Sequence, residues 1–101
     1  PSWLKALDYT ASLFKRKREF VELPSEVARR HLKVSPFAGE PIGWIIENIG
    51  PDMLVYASDY PHPEGTADPI GKFEATMTNC DEATMDAFYH GNMEELMGIK
   101  L

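Results

Sequence analysis

The spacing of hydrophobic residues along this chain predicts which of its segments are helical. Near the start, apolar residues at helical intervals predict an amphipathic helix: Trp3, Leu7, Ala11 and Phe14. A second helix is predicted by four isoleucines at relative positions i, i+3, i+4 and i+7: Ile42, Ile45, Ile46 and Ile49. Pro41 suits the first position of that helix, and Gly50 followed by Pro51 ends it.

Two other segments have the pattern of β-strands. Residues 31–35 alternate, with Leu32 and Val34 on one face. Residues 53–58 are a run without polar alternation, which is typical of a strand covered on both faces in a parallel sheet. The isoleucine helix lies between the two segments, so the order predicts a strand, a helix and a second parallel strand.

Turn signals divide the remaining sequence. Ser25, after Pro24, is a candidate N-cap for a short helical turn, and residues 59–66 hold the prolines and glycine of a loop before a helix at about 68–77. The last part predicts two short helices, each with an Asn–Glu pair at its start and a glycine at its end: Asn79 and Glu82 with Gly91, then Asn92 and Glu95 with Gly98.

The order of elements predicts an α/β fold, in which helices alternate with the two strands and further helices close the chain. Two central parallel strands are poor candidates for independent stability, because each would expose unpaired edges and an uncovered apolar surface. We therefore expect residues 1–101 to be one portion of a larger sheet.

Charge and cysteine content narrow the classes of partner. The net charge of −6 argues against nucleic acid or an anionic membrane as a partner, and the basic residues 15–18 read as the solvated end of a helix. Cys80, the single cysteine, cannot form an internal disulfide, and no apolar run is long enough to span a bilayer, so we expect a reducing, cytoplasmic setting. We read Cys80 as a small filler near a helix start.

Asp59 stands out because it follows the buried strand directly, at the edge where α/β folds place their chemistry. From position alone it could bind a cation, accept a proton or cap the following turn. His62, three residues later, could contact substrate or serve only the structure of the loop. His31 and His90 are interpreted as structural or surface residues.

A family resemblance rests on the run from Ile49 to His62, IGPDMLVYASDYPH. This run is similar to the last-strand signature of the amidohydrolase-related family, the group that resembles aminocarboxymuconate semialdehyde decarboxylase. The flanks agree: residues 24–31, PSEVARRH, resemble the lead into the seventh strand, and residues 91–96, GNMEEL, resemble the closing helix.

The resemblance implies the C-terminal fragment of a metal-dependent (β/α)₈ TIM barrel, comprising its last two strands and their helices. It implies one divalent metal ion, commonly zinc, in the full-length enzyme, with Asp59 as metal ligand or catalytic residue and His62 as the candidate for substrate binding. The family's other ligands, a His-x-His pair and histidines ending strands five and six, have no counterpart here.

The expected function is metal-dependent hydrolysis, or non-oxidative decarboxylation, of a small carboxylated or cyclic substrate. By itself the 101-residue chain should be inactive. The alternative is a stand-alone inactive chain that associates with copies of itself through exposed strand edges and apolar faces. We expect a homo-oligomer in either case.

Overall fold

The computed structural model describes residues 1–14, 22–63 and 65–99, and the regular structure in these ranges is helical. The helices are α1 (Ser2–Leu13), α2 (Pro24–His31), α3 (Ile42–Ile49), α4 (Pro69–Ala75), α5 (Glu82–Asp86), a π-helical segment (Ala87–Gly91) and α6 (Asn92–Met97). The chain divides into two compact units, Pro1–Leu32 and Lys33–Leu101. No helix in the described ranges is long and apolar enough to cross a bilayer.

In the first unit, helices α1 and α2 are joined by a polar contact and little apolar burial. The Asp8 carboxylate accepts hydrogen bonds from the backbone N–H of Ser25 at 2.8 Å and from its hydroxyl at 2.6 Å. The prediction of Ser25 as N-cap is wrong, because α2 already begins at Pro24 and Ser25 lies inside it. The basic residues 15–18 fall outside the described residues.

The second unit contains a hydrophobic core, built around the isoleucine helix α3. Ile42, Ile46 and Ile49 are buried, as their spacing predicted. They share the core with residues from the later elements: Met53, Leu54, Val55, Phe73, Met77 and Phe88. The core therefore covers the start of the segment that carries Asp59.

Gly43 allows α3 to approach the chain after α4 closely. Its N–H donates to the Thr76 carbonyl at 3.0 Å. A Cβ at this position would lie 2.0 Å from Asn79 Oδ1 and 2.5 Å from the Thr76 carbonyl oxygen. A larger residue would therefore push these two segments apart.

The two predicted strands meet in parallel but are not confirmed as strands. Val34 pairs with Leu54 in a single parallel bridge, with Val34 N–H donating to the Met53 carbonyl at 2.8 Å and Val55 N–H donating to the Val34 carbonyl at 3.0 Å. Within the described ranges this contact does not extend into a strand ladder, and His31 belongs to α2. Interior strands of a parallel sheet need neighbours on both edges, and each segment here has one.

Two predicted helix boundaries near the C-terminus are wrong. The N-cap of α5 is Asp81, whose carboxylate accepts from Thr84 N–H at 2.8 Å, whereas Asn79 donates to the Gly43 carbonyl and the Glu47 carboxylate. The helix passes through Gly91 without ending, by way of the π-helical segment, and ends at Gly98 with a left-handed φ of 67°.

Polar contacts, one of them buried, join α6 to residues of the two bridged segments. Asn92, predicted as an N-cap, is 5% exposed, and its side-chain amide donates to the carbonyls of Pro51 at 2.7 Å and Leu54 at 2.8 Å. The Lys33 ammonium lies 2.7 Å from Glu95 Oε2 and also donates to the Asp52 carbonyl. Without Asn92, the buried Leu54 carbonyl would lose this hydrogen-bond partner.

Candidate functional site

Asp59 lies at the exposed end of the segment that begins in the core. Met53, Leu54 and Val55 are buried, whereas residues 56–58 are half-buried or exposed and Asp59 is open to solvent. Its φ is 57°. Among the described residues, no other non-glycine residue has a positive φ. Aspartate tolerates this left-handed conformation better than most residues, yet the conformation remains uncommon and marks a constrained position.

The loop after Asp59 is closed by two successive turns. His62 N–H donates to the Asp59 carbonyl at 2.8 Å, and Gly65 N–H donates to the His62 carbonyl at 2.9 Å. Tyr60 N–H donates to the Ser58 hydroxyl oxygen at 3.3 Å, and the Tyr60–Pro61 peptide bond is cis. The backbone around Asp59 is thus hydrogen-bonded on both sides.

A cavity of about 220 Å³ opens between the carboxyl ends of the two bridged segments. One wall comes from the chain after Val34 and the other from the chain after Leu54: Ser35, Pro36, Phe37 and Ala38, with Ala57, Ser58, Asp59 and Gly65. This is the edge at which open α/β sheets and barrels bind their ligands. Asp59 supplies the carboxylate of this cavity.

Among the described residues, one side chain at the cavity, Asp59, is a suitable ligand for a divalent metal ion. The Asp59 side chain is exposed beside the cavity, and no side chain within residues 1–14, 22–63 and 65–99 hydrogen-bonds its carboxylate. A free carboxylate is a suitable ligand for zinc or manganese. The same ranges contain no group of three or more His, Cys, Asp or Glu residues that could hold the ion. Further ligands would have to come from chain beyond these residues.

The three histidines have different surroundings. His62 has an exposed side chain and shares the Asp59 loop through its backbone, and it does not belong to the cavity lining in the described residues. His90 Nδ1 lies 2.9 Å from Glu94 Oε1 on the surface of the last helix. His31 ends α2. Contact between His62 and substrate stays a prediction.

Cys80 has the surroundings of a structural thiol. It is half-buried just before α5, and burial, reinforced by Asp81 and Glu47, raises the pKa of its thiol. A raised pKa leaves less of the nucleophilic thiolate at neutral pH. These surroundings agree with the reading of Cys80 as a filler near a helix start.

The sequence does not predict two features of the site: the cavity wall opposite Asp59 and the close approach of Gly65 to the Asp59 backbone. In the sequence, Pro36 and Gly39 indicate only a break in the chain after the first predicted strand. Since two parallel segments end at the same edge, the residues after Val34 could have been placed beside Asp59 by topology. The contact of Gly65 with the Asp59 backbone has no comparable signal, because it depends on the path of the loop.

The chain is similar to a known protein family and to solved structures. The sequence model of the family described as Amidohydrolase matches residues 11–99. A crystal structure of an amidohydrolase from Mycobacterium avium subsp. paratuberculosis K-10 superimposes with a TM-score of 0.77 at 27% identity. The match covers 94% of this chain and 24% of that one, so this chain spans about a quarter of its length. No curated protein matches the sequence.

Proposed function

This chain belongs to the amidohydrolase family, and we propose that it forms the C-terminal part of a metal-dependent hydrolase with a (β/α)₈ barrel. In this proposal Asp59 is a ligand of a divalent metal ion, preferably zinc, or the catalytic residue beside it. His62 contacts a small carboxylated or cyclic substrate. The alternative reaction at the same site is non-oxidative decarboxylation. The single cysteine supports a reducing, cytoplasmic setting.

One observation carries the proposal: Asp59 lines a cavity at the carboxyl end of a segment that pairs in parallel with its neighbour. In (β/α)₈ enzymes this end of the strands holds the catalytic groups. The parallel contact between Val34 and Leu54 gives the direction of both segments, and both run toward the cavity.

A bound divalent ion supplies Lewis acidity and lowers the pKa of water to about 7. The role of Asp59 in this chemistry is inferred from its surroundings. Its carboxylate has no competing hydrogen bond from the described side chains, so an oxygen is available to bind a cation or to take up a proton from the attacking water. The turn through His62 N–H fixes the backbone from which this side chain projects.

The exposed apolar surface supports a chain that continues into a larger barrel. Val34 is 48% exposed although its backbone is paired with the core segment, and Phe37 is 61% exposed beside the cavity. Apolar side chains at a sheet edge are normally covered by a neighbouring strand or helix. Further strands of a barrel would cover Val34 and complete the cavity wall.

Exchange of the Asp59 carboxylate for an amide tests the proposal in the full-length polypeptide that carries this sequence. Asp59→Asn keeps the shape and the tolerance of a left-handed backbone but removes the charge. We expect hydrolysis of a panel of small carboxylated amides and cyclic amides to fall by about 100-fold or more. Metal content, measured by mass spectrometry of the purified protein, should show one divalent ion per chain before the exchange.

Asp86→Asn is the matched control, because Asp86 is an exposed helical residue away from the cavity. It should leave hydrolysis unchanged. Full activity in Asp59→Asn, or the absence of metal from an active preparation, would contradict the proposal.

A second candidate function has its own support in the exposed edge. The 101-residue chain alone could associate with further copies of itself through the edge at Val34 and the apolar side chains near it, as an inactive oligomer. Size-exclusion chromatography with light scattering decides this for the isolated chain. A dimer or larger assembly without metal supports self-association, and a monomer excludes it.

A further inference from the structure

We propose that Gly65 is a positioning residue for Asp59. Because Gly65 has no side chain, the Asp59 carbonyl can keep the position that goes with the left-handed conformation in which Asp59 lines the cavity. The inference rests on the proposed function only in treating Asp59 as the carboxylate that binds the ion.

The surroundings of Gly65 leave no space for a side chain. A Cβ there would lie 2.9 Å from the Asp59 carbonyl oxygen, 3.2 Å from its carbonyl carbon and 3.0 Å from the His62 carbonyl oxygen. These are backbone atoms, which cannot rotate aside as the end of a flexible side chain can. The oxygens are further held as acceptors of the two turn hydrogen bonds.

The need for glycine at this position does not come from its own torsion angle. The described glycines with positive φ are Gly39, Gly50 and Gly98. Glycine is required at position 65 because an added Cβ would meet backbone atoms, and the nearest of these is the Asp59 carbonyl oxygen. Any larger residue must displace the peptide unit that carries this oxygen.

The Asp59 conformation needs external support. A non-glycine residue with φ near 57° persists when its surroundings hold it there, and such positions are concentrated at functional sites. The hydrogen bonds of the two turns provide this support, and the absence of a side chain at Gly65 leaves the Asp59 carbonyl the room that it occupies. Gly65 also lines the cavity, so this close approach lies at the site itself.

The test compares Gly65→Ala with Gly91→Ala in the full-length polypeptide. Gly91 is the matched control, because a Cβ there would meet one atom, the Asp86 carbonyl oxygen, at an ordinary 3.7 Å. Each variant is stripped of metal and titrated with Zn²⁺ alone by calorimetry, alongside Asp59→Asn. We expect Gly65→Ala to weaken Zn²⁺ binding by about tenfold, Asp59→Asn to weaken it at least as much, and Gly91→Ala to leave it unchanged.

A crystal structure of Gly65→Ala provides a readout independent of metal. We expect the Asp59 carbonyl to be displaced and its φ to leave the left-handed region. Unchanged Asp59 geometry overturns the inference. Wild-type Zn²⁺ affinity in Gly65→Ala while Asp59→Asn is impaired also overturns it and leaves the proposed function standing. Wild-type affinity in Asp59→Asn overturns the proposed function, and the Asp59 geometry then still decides whether Gly65 sets that conformation.

A double variant covers the case in which Gly65→Ala does not fold. Asp59→Gly removes the side chain that restricts the backbone at this position, so the peptide unit can move away from the methyl group added at position 65 at little cost. Asp59→Gly/Gly65→Ala should then fold with a near-normal thermal midpoint. If the double variant also fails to fold while Asp59→Gly folds, the defect lies elsewhere and the inference is wrong.

Discussion

The two ends of the segment from Met53 to Asp59 differ in almost every physical respect. At the amino end, Met53 and Leu54 are 3% exposed, and the Leu54 carbonyl accepts a hydrogen bond from the buried Asn92 amide. At the carboxyl end, Asp59 is exposed, has positive φ and faces a cavity. Four residues, 55–58, join this packed amino end to the exposed and conformationally constrained Asp59.

This contrast separates the residues that stabilise the fold from those that serve the site. Apolar burial and satisfied carbonyls hold the amino end, whereas the carboxyl end has unfavourable backbone geometry and little burial. Changes at the amino end should therefore lower the free energy of unfolding. A change of charge at Asp59, which is exposed, should alter that free energy by no more than about 0.5 kcal/mol.

The largest effect on stability is expected for Phe73→Ala. Phe73 is fully buried in α4. It packs edge-on against Tyr56, which belongs to the segment from Met53 to Asp59, at 5.6 Å between ring centroids, and against Phe88 at 5.3 Å. Removing the ring leaves a cavity beneath the segment and should lower the free energy of unfolding by about 3–5 kcal/mol, measured by urea unfolding.

Ile70→Ala in the same helix serves as the control, since Ile70 is half exposed. Its effect should be clearly smaller than that of Phe73→Ala. Equal losses for the two variants would mean that the core does not anchor this end of the segment.

Asn92→Leu should have the next largest effect. The exchange keeps a similar volume and removes the two hydrogen bonds to the Pro51 and Leu54 carbonyls. Leaving buried acceptors unsatisfied should cost about 2 kcal/mol in urea unfolding. Asn48→Leu is the matched control, because Asn48 is exposed on α3 and its side-chain amide donates to the Trp44 carbonyl of its own helix. A loss no greater than that of the control would show that the Asn92 amide is not an anchor.

Local pattern was sufficient to predict elements whose determinants are close in the sequence. The four isoleucines define α3 because their spacing decides which face is buried, and Gly50 ends it with φ of 88°. The position of Asp59 after an apolar run was also readable, since that run and the break after Ser58 are both local. The predicted burial of residues 53–58 is confirmed for 53–55 and is wrong for 56–58.

Tertiary partners were not readable in the same way. Asn79 and Asn92 both resemble N-caps, because each has a glutamate three residues later. In the folded chain Asn79 donates to Gly43 and Glu47, and Asn92 donates to carbonyls about 40 residues away. The same sequence pattern, an asparagine with a glutamate three residues later, occurs at helix caps and at asparagines that bond distant parts of the chain. Which role an asparagine takes depends on the acceptors that the fold places beside it.

The smallest effect concerns Tyr89, which packs against Tyr56 at 5.3 Å between ring centroids. Burial, with the neighbouring Glu74 carboxylate adding to it, raises the pKa of Tyr89 to about 12. Because the folded state keeps this proton more tightly than the unfolded state, its contribution to stability is complete below about pH 10 and is lost as the pH rises through about 12.

Absorbance of tyrosinate during an alkaline titration measures this difference. Tyr89→Phe should remove the tyrosine that ionises near pH 12 and should flatten the loss of stability in that range. Glu74→Gln keeps the aromatic packing and removes the negative charge, so it should lower the pKa of Tyr89 only in part, because burial is the larger cause. Complete return of Tyr89 to ordinary ionisation in Glu74→Gln would mean that the carboxylate, and not burial beside the segment, controls this phenol.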